Sequence, residues 1–204
     1  MIEWSLDALR GCESVRSIVV ARPPGHDHGL GDAEVATVDG GVTRAQSVAN
    51  ALAAVETELV AIHDAARPLI TPALVESIVT TLTADPDAAG AIAAAPVTDT
   101  VKRAADPTDG ALTLEYEANA SRVVEDSLDR STLWAAQTPQ VFRAAALRRA
   151  LASAVDPDAA TDEAMLIEQA GGRVLIHPVA EPNLKVTTPF DLRLAELLLA
   201  ERGA

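Results

Sequence analysis

The sequence predicts an α/β fold with a mostly parallel sheet, and three observations lead there. Short, wholly apolar runs at residues 17–21, 59–62 and 91–97 read as strands buried on both faces. Stretches with apolar residues at helical spacing separate them, so strand and helix alternate over most of the 204 residues. Hydrophobic residues make up 49% of the chain but aromatic ones only 2%, which suits small aliphatic side chains packed between helices and a parallel sheet.

Ile2, Leu6 and Leu9 fall on one helical face and the pattern stops at Gly11. A strand at 17–21 is closed by Arg22, Pro23, Pro24 and Gly25, and a shorter one is expected at 34–38. Gly40 and Gly41 mark the next turn. Thr43 and Gln46 then read as a capping box for a helix buried through Val48, Leu52 and Val55. A glycine pair before a capped helix either offers free N–H groups to an anionic or polar ligand or is a plain tight turn.

The strand 59–62 runs directly into HDAARP, residues 63–68, and Thr71 with Pro72 opens the next helix. After the strand at 91–97, a turn cluster at 106–110 lies between VKRA and the alternating LTLEYE. Residues 98–128 therefore read as a hairpin arm on a single 1–204 domain. A lone hairpin is marginal in water, so a symmetric partner is expected to cover it, making a homodimer.

LWAAQTP, 133–139, is followed by a helix at 144–151. Thr161 is expected to cap a helix with Asp162 and Glu163 in its first turn and Gly171 at its end. Strands at 173–176 and 184–186 and an amphipathic helix opened by Thr188, Pro189 and Asp191 complete the chain.

With a formal net charge of −14 the chain repels nucleic-acid backbones and anionic lipid surfaces, so neither is expected as a partner. A small anion remains possible where cations converge. The one cysteine, Cys12, makes no internal disulfide, and no run approaches the roughly 20 apolar residues of a membrane span. The residues after Met1 lack the apolar core of a signal peptide. A reducing, cytoplasmic setting is expected.

Asp64 and Arg67 stand at the end of a buried strand, where open α/β sheets bind ligands. Asp64 suits a ribose hydroxyl, a metal or a turn cap; His63 reads as structural. The other cations of interest are Lys102, Arg103, Arg130 and Lys185, the last within an apolar run where it either snorkels outward or meets an anion. Thr100, Thr138 and Thr161 are caps or phosphate-binding hydroxyls. His26, Asp27 and His28 read as a solvated loop rather than a metal site. Ser5, Ser47 and Cys12 lack a nucleophile's context, and no P-loop is present.

The set VDGGVTRAQSV, HDAARP, APVTDTVKRA, DRSTLWAAQTPQVF, ATDEAMLIEQAGG and NLKVTTPFDLRLAE closely resembles the 2-C-methyl-D-erythritol 4-phosphate cytidylyltransferases of the non-mevalonate isoprenoid pathway. The resemblance implies a Rossmann-like nucleotidyltransferase with a protruding β-hairpin arm, joining CTP and methylerythritol phosphate with release of pyrophosphate. It implies Mg²⁺ bound mainly through the CTP phosphates, with no metal site of the protein's own. Gly40, Gly41 and Ser47 would contact cytosine, and Asp64 would stand by the ribose and the sugar phosphate. Arg67, Thr138, Thr161 and Lys185 would surround the acceptor phosphate, with Thr100 and Arg130 reaching over from the partner's arm. Lys185 and Arg130 would be catalytic, aiming that phosphate at the α-phosphorus of CTP. A cytidylyltransferase for another polyol phosphate, such as ribitol 5-phosphate, and a non-catalytic nucleotide-binding remnant are the alternatives.

Members of that family also carry, ahead of the helix with which these 204 residues open, a strand and a glycine-rich loop with an Ala-Ala-Gly start, an Arg and a Pro-Lys. The expectation is a coding region that extends upstream of Met1, or a truncation. The chain as given should then be inactive or severely impaired, with unpaired backbone and a groove through its core.

Overall fold

A computed structural model describes residues 1–25, 35–105 and 122–202. It divides into two compact units, Met1–Ala94 with Ala136–Ala204, and Ala95–Ala135. No helix among the described residues is long and apolar enough to cross a membrane. The expected loop at His26, Asp27 and His28 and the arm's turn cluster and LTLEYE lie outside the described residues.

Helix α1, Ile2–Arg10, precedes strand β1, Ile18–Arg22, which pairs in parallel with β2, Val35–Asp39. Helix α2, Arg44–Ala53, follows the Gly40-Gly41 turn, and strand β3 spans Leu59–Ile62. Thr43 Oγ1 accepts from Gln46 N–H while Gln46 Oε1 accepts from Val42 N–H, so the capping box forms with its return bond one residue early. Helix α3, Pro72–Thr83, is capped by Thr71 as expected, and strand β4 is Ala88–Pro96.

In the smaller unit β5, Lys102–Ala104, pairs antiparallel with β6, Val124–Ser127, as the stem of a hairpin. Strand β7, Trp134–Arg143, leads into α4, Ala144–Ser153; then come α5, Glu163–Gln169, strand β8, Arg173–Pro178, and α6, Pro189–Arg202.

Residues 134–143 form a long strand for which the sequence reading made no expectation. Two expectations fail. Residues 184–186 are not a strand: Lys185 lies in irregular chain, joined to the turn after β3 where Val186 N–H donates to Ala66 O at 2.7 Å. Helix α6 buries only Ala195 and leaves Phe190 66% exposed, so it is not the one-sided helix expected.

The strands make a sheet in the order β3-β7-β4-β8 and a separate β1-β2 pair, besides the hairpin. β3 runs antiparallel to β7 with Ile62 opposite Gln140, and β4 runs parallel to β8. The core of the sheet centres on Phe142, fully buried, with Leu147, Leu166 and Ile167 from the helices beside it. Gly90 makes room for that ring, since a Cβ there would come within 2.4 Å of Phe142 Cδ1.

β1 and β3 each have one unpaired edge among the described residues. Both edges meet the same largely apolar cavity of about 590 Å³, lined by Ile18 to Ala21 in succession on one side and Leu59 to Ile62 on the other. A cavity over a strand's face would touch every second residue; contact with each residue in turn places the cavity at the strands' edges. Sheet spacing gives each strand residue a cell of about 3.3 by about 4.8 by about 10 Å, so the cavity has room for roughly four residues of strand.

Candidate active site

The turn after β3 positions the polar cluster. Asp64 N–H donates to Thr138 Oγ1 at 3.0 Å, and Arg67 N–H closes the turn onto Asp64 O at 2.9 Å. His63 sits half-buried behind this turn, its Nδ1 3.1 Å from Thr138 Oγ1 and its Nε2 3.2 Å from Arg67 O. Burial pushes its ring down to about 4, so it is a neutral fixture of the loop, the structural part expected of it.

Asp64 holds two cations, one on each oxygen. Lys185 Nζ lies 2.9 Å from Oδ2 and Arg44 Nη2 lies 3.7 Å from Oδ1. Burial alone would raise this carboxyl, but Lys185, Arg44 and Arg67 outweigh it and hold it below its ordinary value. Arg67 Nη1 donates to Asn183 O at 2.7 Å, which ties the turn to the segment carrying Lys185. Asn183 in turn donates to Thr138 O at 2.8 Å.

Four expected site residues thus gather in one place: Asp64, Arg67, Thr138 and Lys185. Thr138 is buried, with its hydroxyl engaged by Asp64 and His63. Thr161 is exposed and does not cap α5; Asp162 does, its carboxylate accepting from Met165 N–H at 2.9 Å. An ionised carboxylate is the stronger acceptor at the positive pole of a helix, and the cap sits one residue later than expected.

The Gly40-Gly41 turn offers no free amide. Gly40 N–H donates to Arg22 O and Gly41 N–H to Ser47 Oγ, while the Ser47 hydroxyl donates to Thr43 O. Arg130 and Thr100 belong to the smaller unit, where both are exposed and Arg130 donates to Thr98 O.

Arg44 and Glu163 escaped the sequence reading. Glu163, 1% exposed, places Oε1 2.5 Å from Arg44 Nη1. One signal was available: Arg44 opens α2, where a cation opposes the helix dipole and therefore wants a carboxylate.

The profile of IspD, 2-C-methyl-D-erythritol 4-phosphate cytidylyltransferase, matches residues 1–201. The chain belongs to the IspD family. The bifunctional enzyme IspD/IspF of Anaeromyxobacter dehalogenans is 43% identical over 207 residues, covering 98% of the chain and 50% of that protein. The chain therefore spans about half the length of the bifunctional relatives it matches. The 2-C-methyl-D-erythritol 4-phosphate cytidylyltransferase of Ralstonia nicotianae is 39% identical, over 98% of the chain and 80% of that protein. Among solved structures, the 2-C-methyl-D-erythritol 4-phosphate cytidylyltransferase of Thermus thermophilus superposes with a TM-score of 0.76 at 33% identity, covering 97% of the chain and 87% of that structure. Members of the IspD family are nucleotidyltransferases, and the α/β fold described above is theirs.

Proposed function

We propose that the protein transfers the cytidylyl group of CTP to 2-C-methyl-D-erythritol 4-phosphate and releases pyrophosphate. The observation that carries this reading is Lys185, joined to Asp64 at 2.9 Å beside Arg44 and Arg67. In a chain of net charge −14, these three cations gather about the Asp64 carboxylate, so an incoming anion meets positive groups there. A phosphate attacking a triphosphate needs it: each pair of like unit charges at ~4 Å costs about 4 kcal/mol at an effective dielectric of about 20.

In this reading Lys185 and Arg67 hold the acceptor phosphate, and Lys185 aims one of its oxygens at the α-phosphorus. The new bond forms there as the bond from the α-phosphorus to the bridging oxygen breaks, and the electron pair leaves with pyrophosphate. Asp64 lies where sugar phosphate and ribose meet, with Thr138 holding its loop and Thr161 at the mouth of α5. Gly40, Gly41 and Ser47 form the cytosine wall through carbonyls and shape, their amides being engaged already. A second copy supplies Thr100 and Arg130 from its arm in a homodimer, for which sedimentation at the dimer mass is the check.

Among the described residues no three His, Cys, Asp or Glu side chains cluster to hold a metal ion. Mg²⁺ would enter on the triphosphate, held mainly by the CTP phosphates, where its charge offsets theirs. The slot between β1 and β3 bears on turnover too. The 204 residues alone are expected to be impaired, and a strand seated there together with a glycine-rich, cationic loop after it to restore the rate.

Lys185→Ala is the test, made both in the 204-residue chain and in one extended ahead of Met1 by a strand and a glycine-rich loop bearing the Arg and Pro-Lys. Pyrophosphate release should fall ~10²- to 10³-fold in whichever form turns over. Unchanged release would remove Lys185 from the chemistry. Release with ribitol 5-phosphate but not methylerythritol phosphate would replace the acceptor, and binding of CTP without release in either form would leave a nucleotide-binding protein.

A further inference from the structure

Glu163 is hard to explain as a contributor to stability. A carboxylate 1% exposed loses its hydration, and Oε2 is buried with no hydrogen-bond partner. Burial raises this carboxyl above its ordinary value although Arg44 pulls the other way. Replacing a buried ion pair by apolar side chains is often neutral or stabilising, so what such a pair secures is a particular arrangement.

The arrangement is an alternating row: Glu163 Oε1 to Arg44 Nη1 at 2.5 Å, Arg44 Nη2 to Asp64 Oδ1 at 3.7 Å, and Asp64 Oδ2 to Lys185 Nζ at 2.9 Å. Arg44 and Glu163 are 119 positions apart in sequence, and each is the first residue of its helix, α2 and α5. The planar guanidinium uses separate nitrogens for the two carboxylates, which an ammonium cannot do with the same fixed geometry. Asp162, next to Glu163, is already committed to capping α5 and to Gln140 Nε2 at 2.8 Å. Glu163 is thus the anchor for Arg44 in this row, and Lys185 is half exposed at its far end.

We propose that Glu163 and Arg44 are positioning residues that keep Asp64 in place when Lys185 turns from it to an anionic phosphate. In the resting row Asp64 and an incoming phosphate compete for the same ammonium. With Arg44 clamped by Glu163, Asp64 keeps a cationic partner and its loop stays put as the ammonium changes hands. Without the clamp, Asp64 retains Lys185 or faces the phosphate with its charge uncompensated. Neither Arg44 nor Glu163 touches the phosphate. This inference rests on Lys185 being a phosphate-binding group, as in the function proposed above.

Two measurements separate the inference from that reading. The first is a double-mutant cycle on folding equilibria with Glu163→Gln and Asp64→Asn, whose side chains meet only through Arg44. A coupling of about three- to tenfold is expected, and it should vanish in an Arg44→Met background. The second is calorimetric binding of 2-C-methyl-D-erythritol 4-phosphate. Glu163→Gln should weaken binding about tenfold, and Glu163→Asp should recover most of it. Arg44→Lys keeps the charge without the fork and should match Glu163→Gln, so the question stays answerable if the buried amide fails to fold. Absence of coupling overturns the row itself. Coupling with unchanged affinity in Glu163→Gln and Arg44→Lys overturns the positioning role. A wild-type chain that shows the coupling but binds no phosphate ester overturns the proposed function, and the positioning role with it, while the ion row stands.

Discussion

The two edges of β3 are opposites. Along one, Leu59 to Ile62 pair with Arg143 to Gln140 of β7, Phe142 fills the space behind, and the polar cluster hangs from the strand's end. Along the other no described strand pairs, and the apolar cavity of about 590 Å³ lies in the ladder's place. One strand therefore borders both a closely packed core and an open cavity. Order at the site is inherited from the closed edge, because Asp64 is tied to β7 through Thr138 and to the Lys185 segment through Arg67 and Asn183. The open edge contributes capacity instead.

Breaking the closed edge should have the largest effect. Phe142→Ala removes a fully buried ring whose neighbours, Gly90 included, are shaped around it, and the expected loss is about 3–5 kcal/mol in urea denaturation. A loss under about 1 kcal/mol would mean that the core collapses onto the gap and that the closed edge is not tightly packed.

Acid should loosen the same edge by a smaller amount. The unfolded chain protonates His63 below its ordinary 6.5, but the folded ring accepts a proton only near 4. Between those values the unfolded state binds the extra proton, so stability falls as pH falls, by about 3 kcal/mol once both values are passed. Asp64 acts in the same direction, since its depressed value gives stability that disappears as pH falls through it; Glu163, raised by burial, acts oppositely. Urea midpoints should drop between pH about 7 and about 4, and His63→Asn should flatten that drop. A slope unchanged in His63→Asn would assign the acid loss to other groups.

Much of this was legible in sequence because it is local. The caps Thr43 and Thr71, the strand ahead of HDAARP and the hairpin stem are written in neighbouring residues. β7 was hidden by its Thr-Pro step and its glutamines, since proline argues against an interior strand. Its pairing with β3 begins only at Gln140, so the missing N–H of Pro139 removes no rung of that ladder. Lys185 was misplaced in a strand because NLKV has a strand's composition, whereas a single backbone bond to the turn after β3 and the pull of Asp64 decide its position. The ion row was invisible for a different reason. Its members come from four separate places in the chain, and only the wrong-signed Arg44 at the head of α2 hinted at a partner.

Filling the open edge should give a gain of similar origin but smaller size. An apolar strand of about four residues, added as a peptide or fused ahead of Met1, can pair with both free edges and replace cavity by contact. At a free peptide concentration of about 100 times its Kd the stabilisation is about 2.7 kcal/mol, which at about 2–4 °C per kcal/mol for a chain of this size raises the melting temperature by roughly 5–10 °C. Val20→Lys puts a charge on the β1 side of the slot and should remove most of that shift, while Val20→Ala, whose side chain already borders the cavity, should cost the unfilled protein under about 1 kcal/mol. If the peptide leaves the melting temperature unchanged, or if Val20→Lys responds as wild type does, the cavity is not a strand's place. The two edges of β3 would then differ in packing alone.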